Sequence, residues 1–125
     1  MTVITNARIV VLGSVPWWKR GLPNEVLRYF MLHHRLIPER SNGAEPDGSG
    51  AALRDRLAPL GAAFISVWDV MCNTDGCLTR IGSNATDITA SNEVHLTEKA
   101  SVFLVQSVID DVLGEQPPRS SNASR

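Results

Sequence analysis

A chain of 125 residues with 43% hydrophobic and 20% charged side chains has the size and balance of one globular domain that buries a core, which excludes disorder throughout. Twelve basic against thirteen acidic side chains leave a formal charge of -1, with no run of Lys or Arg to neutralise successive phosphates, so nucleic acid is not an expected partner. No apolar run approaches the roughly 20 residues of a membrane span, and the amino end lacks a basic stretch followed by an apolar one. The chain is therefore expected to be soluble, with no membrane span and no export signal of its own.

In chain order, Ala7 to Leu12 (ARIVVL) is a short β-branched apolar run ending at Gly13, the pattern of a strand buried on both faces of a parallel sheet. Ser14 to Gly21 follows as a loop in which the adjacent indoles Trp17 and Trp18 project in different directions, to line a cleft or to roof the core. Pro23 opens a helix running to about Leu36, with Val26, Leu27, Phe30 and Met31 as its apolar face. His33 and His34, near its end, suit the negative pole of the helix. Pro38 to Gly50 is polar and rich in Gly, Pro and Ser, a loop within the domain. Leu53, Leu57 and Leu60 predict a second short helix limited by Pro59.

Ala63 to Trp68 then predicts a second buried strand, with Asp69 just past its end. Cys77 to Asn92 is irregular apart from an extended piece around Leu78 to Ile81. Thr97 is placed to cap the last helix, Glu98 suits its positive end, and Leu104, Val105, Val108 and Val112 form a stripe toward the sheet. The tail from residue 115 onward is expected to be disordered. Strand, helix, helix, strand, loop, helix implies an α/β layer structure with parallel strands. Working groups in such sheets lie at the strands' carboxyl ends, where Ser14 to Trp18, Asp69 and the loop before the last helix would gather. Two strands make a very small sheet, and a parallel pair needs both faces covered, so the chain reads as part of something larger.

Cys72 and Cys77 are the two cysteines, in Cys-Asn-Thr-Asp-Gly-Cys. Without a second cysteine pair or a histidine nearby, zinc lacks ligands and no metal is expected. The pair forms either a small disulfide loop, for which Asp75-Gly76 supplies the turn, or two reduced thiols acting as small hydrophobes.

His95 stands in a loop just before the last helix. With the ordinary histidine pKa of about 6.5, an imidazole there can take a proton from a hydroxyl and return it to a leaving group. It would need a carboxylate on one side and a nucleophile on the other.

The segment from Ile65 to Val112, with ISVWDVMC, CLTRIG and VHLTEKASVFLV, resembles the carboxyl-terminal part of the SGNH hydrolase-like domain appended to membrane acyltransferases of the acyltransferase-3 type, which modify bacterial surface polysaccharides. VVLGSVPWWKRGLP and LIPERSN match the same domain's strand followed by a loop containing proline and tryptophan, so the likeness runs from about Ala7 to Leu113. It implies a partial three-layer, flavodoxin-like α/β fold with a small parallel sheet over residues 1–114. It also implies a periplasmic location in the complete protein, and no cofactor. In this family the histidine of an Asp-x-x-His-Leu-Thr/Ser motif is the catalytic base, and His95-Leu96-Thr97 with Ala100-Ser101 falls on that motif.

Two departures follow. The family's acid lies three residues before the histidine, where this chain has Asn92; Glu93 and Asp87 are the carboxylates that could substitute. The family's nucleophilic serine and its oxyanion donors precede the portion resembled here, and Asp47-Gly48-Ser49-Gly50 imitates the nucleophile motif in the wrong order, within a loop. The resemblance therefore implies acyl transfer or ester hydrolysis on a surface carbohydrate, with this chain supplying only the histidine-bearing part and inactive alone. Its partners would be the polysaccharide or acyl donor and the upstream half of the domain or the membrane acyltransferase. The alternatives are a carbohydrate-binding module in which Trp17 and Trp18 stack on sugars, or an assembly module using the sheet edge.

Overall fold

The computed structural model describes residues 8–46, 48 and 50–113. Two three-residue strands, β1 (Val10–Leu12) and β5 (Ala63–Ile65), lie side by side in parallel, Val10 opposite Ala63 and Leu12 opposite Ile65. The Gly13 N–H extends the ladder to the Ile65 carbonyl at 2.8 Å. A parallel pair needs a crossover. Here it contains helix α1 (Leu22–His33), helix α2 (Gly50–Leu57) and a 3₁₀ turn at Ala58–Leu60. The molecule is thus an α/β fold with a small parallel sheet.

The second strand is shorter than the sequence predicts. Its apolar run continues through Trp68, but Ser66 accepts the Asp69 N–H on its hydroxyl at 3.2 Å and caps a five-residue helix, α3 (Val67–Met71). Asp69 accordingly lies in a helical first turn and not in a loop past the strand. The stretch from Pro38 to Gly50 also holds more order than a plain loop. Its strand β3 (Arg40–Ser41) joins a three-stranded sheet with β6 (Cys72–Asn73) and β7 (Gly76–Leu78), in the order β3-β7-β6, and β4 (Ala44–Glu45) pairs antiparallel with β2 (Trp17–Trp18).

Strands β6 (Cys72–Asn73) and β7 (Gly76–Leu78) form a hairpin that the Cys72–Cys77 disulfide clamps, with the two Cα atoms 3.9 Å apart. Gly76 has φ 113°, and a Cβ there would collide with the Ser41 carbonyl, so the turn and its packing on β3 both require glycine. The thiol alternative gives way to the disulfide.

Helix α4 (Glu98–Leu113) is capped by Thr97, whose hydroxyl accepts the Ala100 N–H at 3.2 Å. It buries Ala100, Leu104, Val108 and Asp111, spaced at 4, 4 and 3 residues, against a core containing Trp18, Leu22, Ile65, Val67 and Met71. Val112 packs partly on that core, whereas Val105, predicted in the buried stripe, is half exposed on the far face with Val102 and Ile109. Helix α1 departs further. Leu22 is fully buried, a contribution of about 1.5–3 kcal/mol, and Val26 is partly covered, but Leu27, Phe30 and Met31 are more than half exposed. The helix ends at His33, with His34 in the left-handed conformation donating its N–H to the Phe30 carbonyl at 2.7 Å. The expected tail at 115–125 lies outside the described residues.

Candidate functional site

The strip from Asp87 to Thr97 carries His95 and is fixed along its length by backbone bonds. Arg80 pairs with Ile88 and Ala90 with Leu96; the Thr89 N–H reaches the Thr79 carbonyl and the Thr97 N–H reaches that of Thr89, both at 2.9 Å. Thr89 and Thr79 are buried, and their hydroxyls are satisfied by the carbonyls of Leu78 and Pro38. The Thr97 hydroxyl also donates to the Ile88 carbonyl at 2.7 Å. Beyond Ala90 the chain turns at Ser91–His95, closed by the Ser91 N–H on the His95 carbonyl at 2.9 Å.

Two bonds dock this turn on the segment after β1 and on the start of α1. The Trp18 N–H donates to the Glu93 carbonyl at 2.8 Å, and the Leu22 N–H, in the first turn of α1, donates to the Asn92 carbonyl at 3.3 Å. The loop after β1 and the loop before α4 are therefore joined, as expected for the carboxyl ends of a parallel sheet.

Inside the turn, Asn92 Oδ1 accepts the backbone N–H groups of both Val94 and His95 at 2.9 Å. The same carboxamide meets the imidazole, with Asn92 Nδ2 2.8 Å and Oδ1 3.1 Å from His95 Nδ1. Asn92 thus both shapes the backbone turn and holds the ring. Being neutral, it brings no charge to offset an imidazolium.

His95 is exposed and, with Ser14, Val15, Trp17 and Val94, lines an open cavity of about 490 Å³. The two indoles separate as alternate positions of a strand do. Trp17 is 41% exposed and faces the cavity, while Trp18 is 2% exposed and lies in the core. Trp18 is therefore a roof on the core rather than a sugar-stacking surface. Ser14 also lines a second cavity of about 370 Å³ with Gly13, Arg54, Ser66 and Asp69, at the carboxyl ends of β1 and β5. Nothing in the sequence marks Ser14, Val15 or Arg54 individually; the position of Gly13-Ser14 directly after a buried strand is the available signal.

The two carboxylates proposed as substitute acids go elsewhere. Asp87 Oδ1 pairs with Lys99 Nζ at 2.6 Å, and its Oδ2 accepts the Asn84 N–H at 3.1 Å. The Lys99 hydrogen bond, then that from Asn84, hold its carboxyl below the ordinary value of 3.8 against the opposing effect of burial. Gly82, at φ 137°, makes room, since a Cβ there would strike the Asp87 carboxylate. The Glu93 carboxyl carbon lies 4.0 Å from where a Gly21 side chain would begin, toward the start of α1, and the hydrogen-bond partner of the His95 ring is Asn92. Among the described residues no cluster of three or more His, Cys, Asp or Glu is placed to hold a metal ion, and no helix is long and apolar enough to cross a membrane. Asp47 and Ser49 lie outside the described residues.

No protein-family model matches the chain, and no curated protein matches it. Among solved structures it is similar to the periplasmic domain of the Salmonella ser. Paratyphi A lipopolysaccharide acetyltransferase, with a TM-score of 0.77 and 28% identity over 86% of this chain and 42% of that one. The chain spans less than half the length of that domain. Its fold is that of part of an acetyltransferase-associated α/β domain.

Proposed function

We propose that this chain is the histidine-bearing carboxyl-terminal part of an SGNH-type domain that transfers or hydrolyses acyl groups on a cell-surface carbohydrate, and that polypeptide preceding this portion supplies the nucleophile. The observation that carries it is His95, exposed in a cavity at the carboxyl end of the parallel pair and held through Nδ1 by the side chain three residues earlier. The likeness to an acetyltransferase's periplasmic domain about twice as long supports both the acyl chemistry and the incomplete complement of groups. By the same likeness, the site works in the periplasm.

In the completed site, a serine hydroxyl from the preceding portion attacks the acyl carbonyl while His95 accepts its proton through Nε2, then returns it to the leaving oxygen. The oxyanion that forms needs N–H donors aimed at it, and these too come from the preceding portion. Trp17, beside His95, offers an indole face to the acyl chain or the sugar ring. A free edge of β1, whose one strand partner among the described residues is β5, and the exposed apolar faces of α1 and α4 are surfaces that such a portion would cover.

The test joins this chain to the amino-terminal portion of the Salmonella domain and measures hydrolysis of p-nitrophenyl acetate with and without His95→Ala. Activity that depends on His95 is expected; activity indifferent to the substitution eliminates the role.

One observation favours a second use of the same cavity. Trp17 is exposed while Trp18 is buried, so a single indole is presented beside a hydrogen-bonding imidazole, an arrangement that suits glycan binding without turnover. Titration with surface glycans, followed by indole fluorescence in wild type and Trp17→Ala, separates the two, because a binding module responds in the isolated chain.

A further inference from the structure

The carboxamide of Asn92 is oriented by its surroundings. One of its two heteroatoms faces two backbone N–H groups, those of Val94 and His95, each at 2.9 Å. Only an oxygen can accept them, so that atom is Oδ1 and the other is Nδ2. With both lone pairs engaged, Oδ1 has no capacity left for a third donor. Nδ2 carries two N–H donors and sits 2.8 Å from His95 Nδ1, closer than the 3.1 Å from Nδ1 to Oδ1. A hydrogen bond from Nδ2 to Nδ1 requires Nδ1 to present a lone pair, and in a neutral imidazole the single proton is then on Nε2.

We propose that Asn92 is a positioning residue that favours the Nε2–H tautomer of neutral His95, so that the ring chiefly offers the cavity an N–H donor and only its minor tautomer presents the Nε2 lone pair that the general base of the completed domain needs. The ligand this ring recognises is a neutral oxygen acceptor, an ester carbonyl or a sugar hydroxyl. The inference rests on His95 being the working histidine of the cavity, and on it the general-base step is slowed through the tautomer rather than through loss of the ring. An aspartate at the same position reverses the arrangement. One carboxylate oxygen still accepts the two backbone N–H groups, so the turn survives, while the other replaces the amide donor with an acceptor and draws the proton to Nδ1.

The test is nitrogen NMR of the full 125-residue chain with labelled histidines, at a pH above imidazole titration. His95 is distinguished from His33 and His34 by its loss in His95→Ala. The ring nitrogens report directly which one carries the proton. Wild type is expected to hold it on Nε2. Asn92→Asp is expected to move it to Nδ1, and Asn92→Ala to release a mixture with a larger Nδ1–H fraction than wild type. A proton on Nδ1 in wild type, an unchanged position in Asn92→Asp, or the same tautomer ratio in Asn92→Ala and wild type would each overturn the proposal. The measurement needs no turnover, so its outcome stands apart from that of the complementation experiment.

Discussion

Within the strip that carries His95, the segment from Asp87 to His95 is held near its two ends by side chains of nearly the same shape, one charged and one neutral. At Asp87, a carboxylate accepts the Asn84 N–H on one oxygen and faces Lys99 with the other, 2.6 Å away. At Asn92, a carboxamide accepts the N–H groups of Val94 and His95 on its oxygen and faces His95 through its nitrogen, 2.8 Å away. Both meet the local demand of a tight turn, which is an acceptor for backbone donors. Only Asp87 also compensates a charge. Folding the loop requires the acceptor and acid–base chemistry requires the charge, so the Asn92 end keeps the geometry of a catalytic pair without its electrostatics.

Making the two ends alike has the largest expected consequence. In the domain completed by an amino-terminal portion, Asn92→Asp is expected to raise kcat/KM for p-nitrophenyl acetate by up to about 10⁴-fold, the reverse of the loss seen when a triad aspartate becomes asparagine. An unchanged rate would break the comparison by showing that the charge at this position is immaterial.

The disulfide bears on the support behind both ends, because β7 leads into Thr79, which pairs with Thr89 in the middle of the strip. Replacing both Cys72 and Cys77 by serine is expected to cost about 2 kcal/mol, the loop-closure value for so short a loop. Chemical denaturation followed by circular dichroism measures it. A loss of similar size in reductant, with none on adding reductant to the double variant, would sharpen the assignment to the cross-link itself.

Converting the charged end to match the neutral one has a smaller, pH-dependent effect. The folded-state pKa of Asp87 is depressed, chiefly by the Lys99 hydrogen bond, so its contribution is present above the unfolded value of 3.8 and is lost as the pH falls through the folded value. Asp87→Asn is therefore expected to be less stable than wild type at neutral pH, with the difference narrowing below about pH 3.8. Unfolding curves across that range test it, and a gap constant down to the lowest pH would remove the electrostatic account. Lys99 is half exposed, so salt is expected to reduce the neutral-pH gap as well.

Much of this arrangement is legible in the sequence, for local reasons. The apolar runs before Gly13 and after Ala62 become the two parallel strands, and Thr97 caps α4, because each depends on neighbours close in the chain. The three-residue spacing of Asn92 and His95 likewise translates directly into a hydrogen bond. What depends on distant partners is not legible. The apolar stripe of α1 looks like a core face, yet Phe30 and Met31 are left uncovered. Val105 belongs to an apolar run but is rotated away from the sheet by the register that buries Leu104 and Val108. Asp87 reads as a spare acid until the partner twelve residues on, Lys99, is seen to claim it. Two features are readable locally after all: Ser66-x-x-Asp69 is a helix-start pattern inside an apolar run, and alternation alone separates Trp17 from Trp18.

The most direct measurement is the rate of acetyl ester hydrolysis by the completed domain carrying Asn92→Asp, with and without His95→Ala. The account predicts that removing the imidazole abolishes the rate gained through the introduced carboxylate, because that group acts only through the ring. A gain that persists without His95 would contradict it.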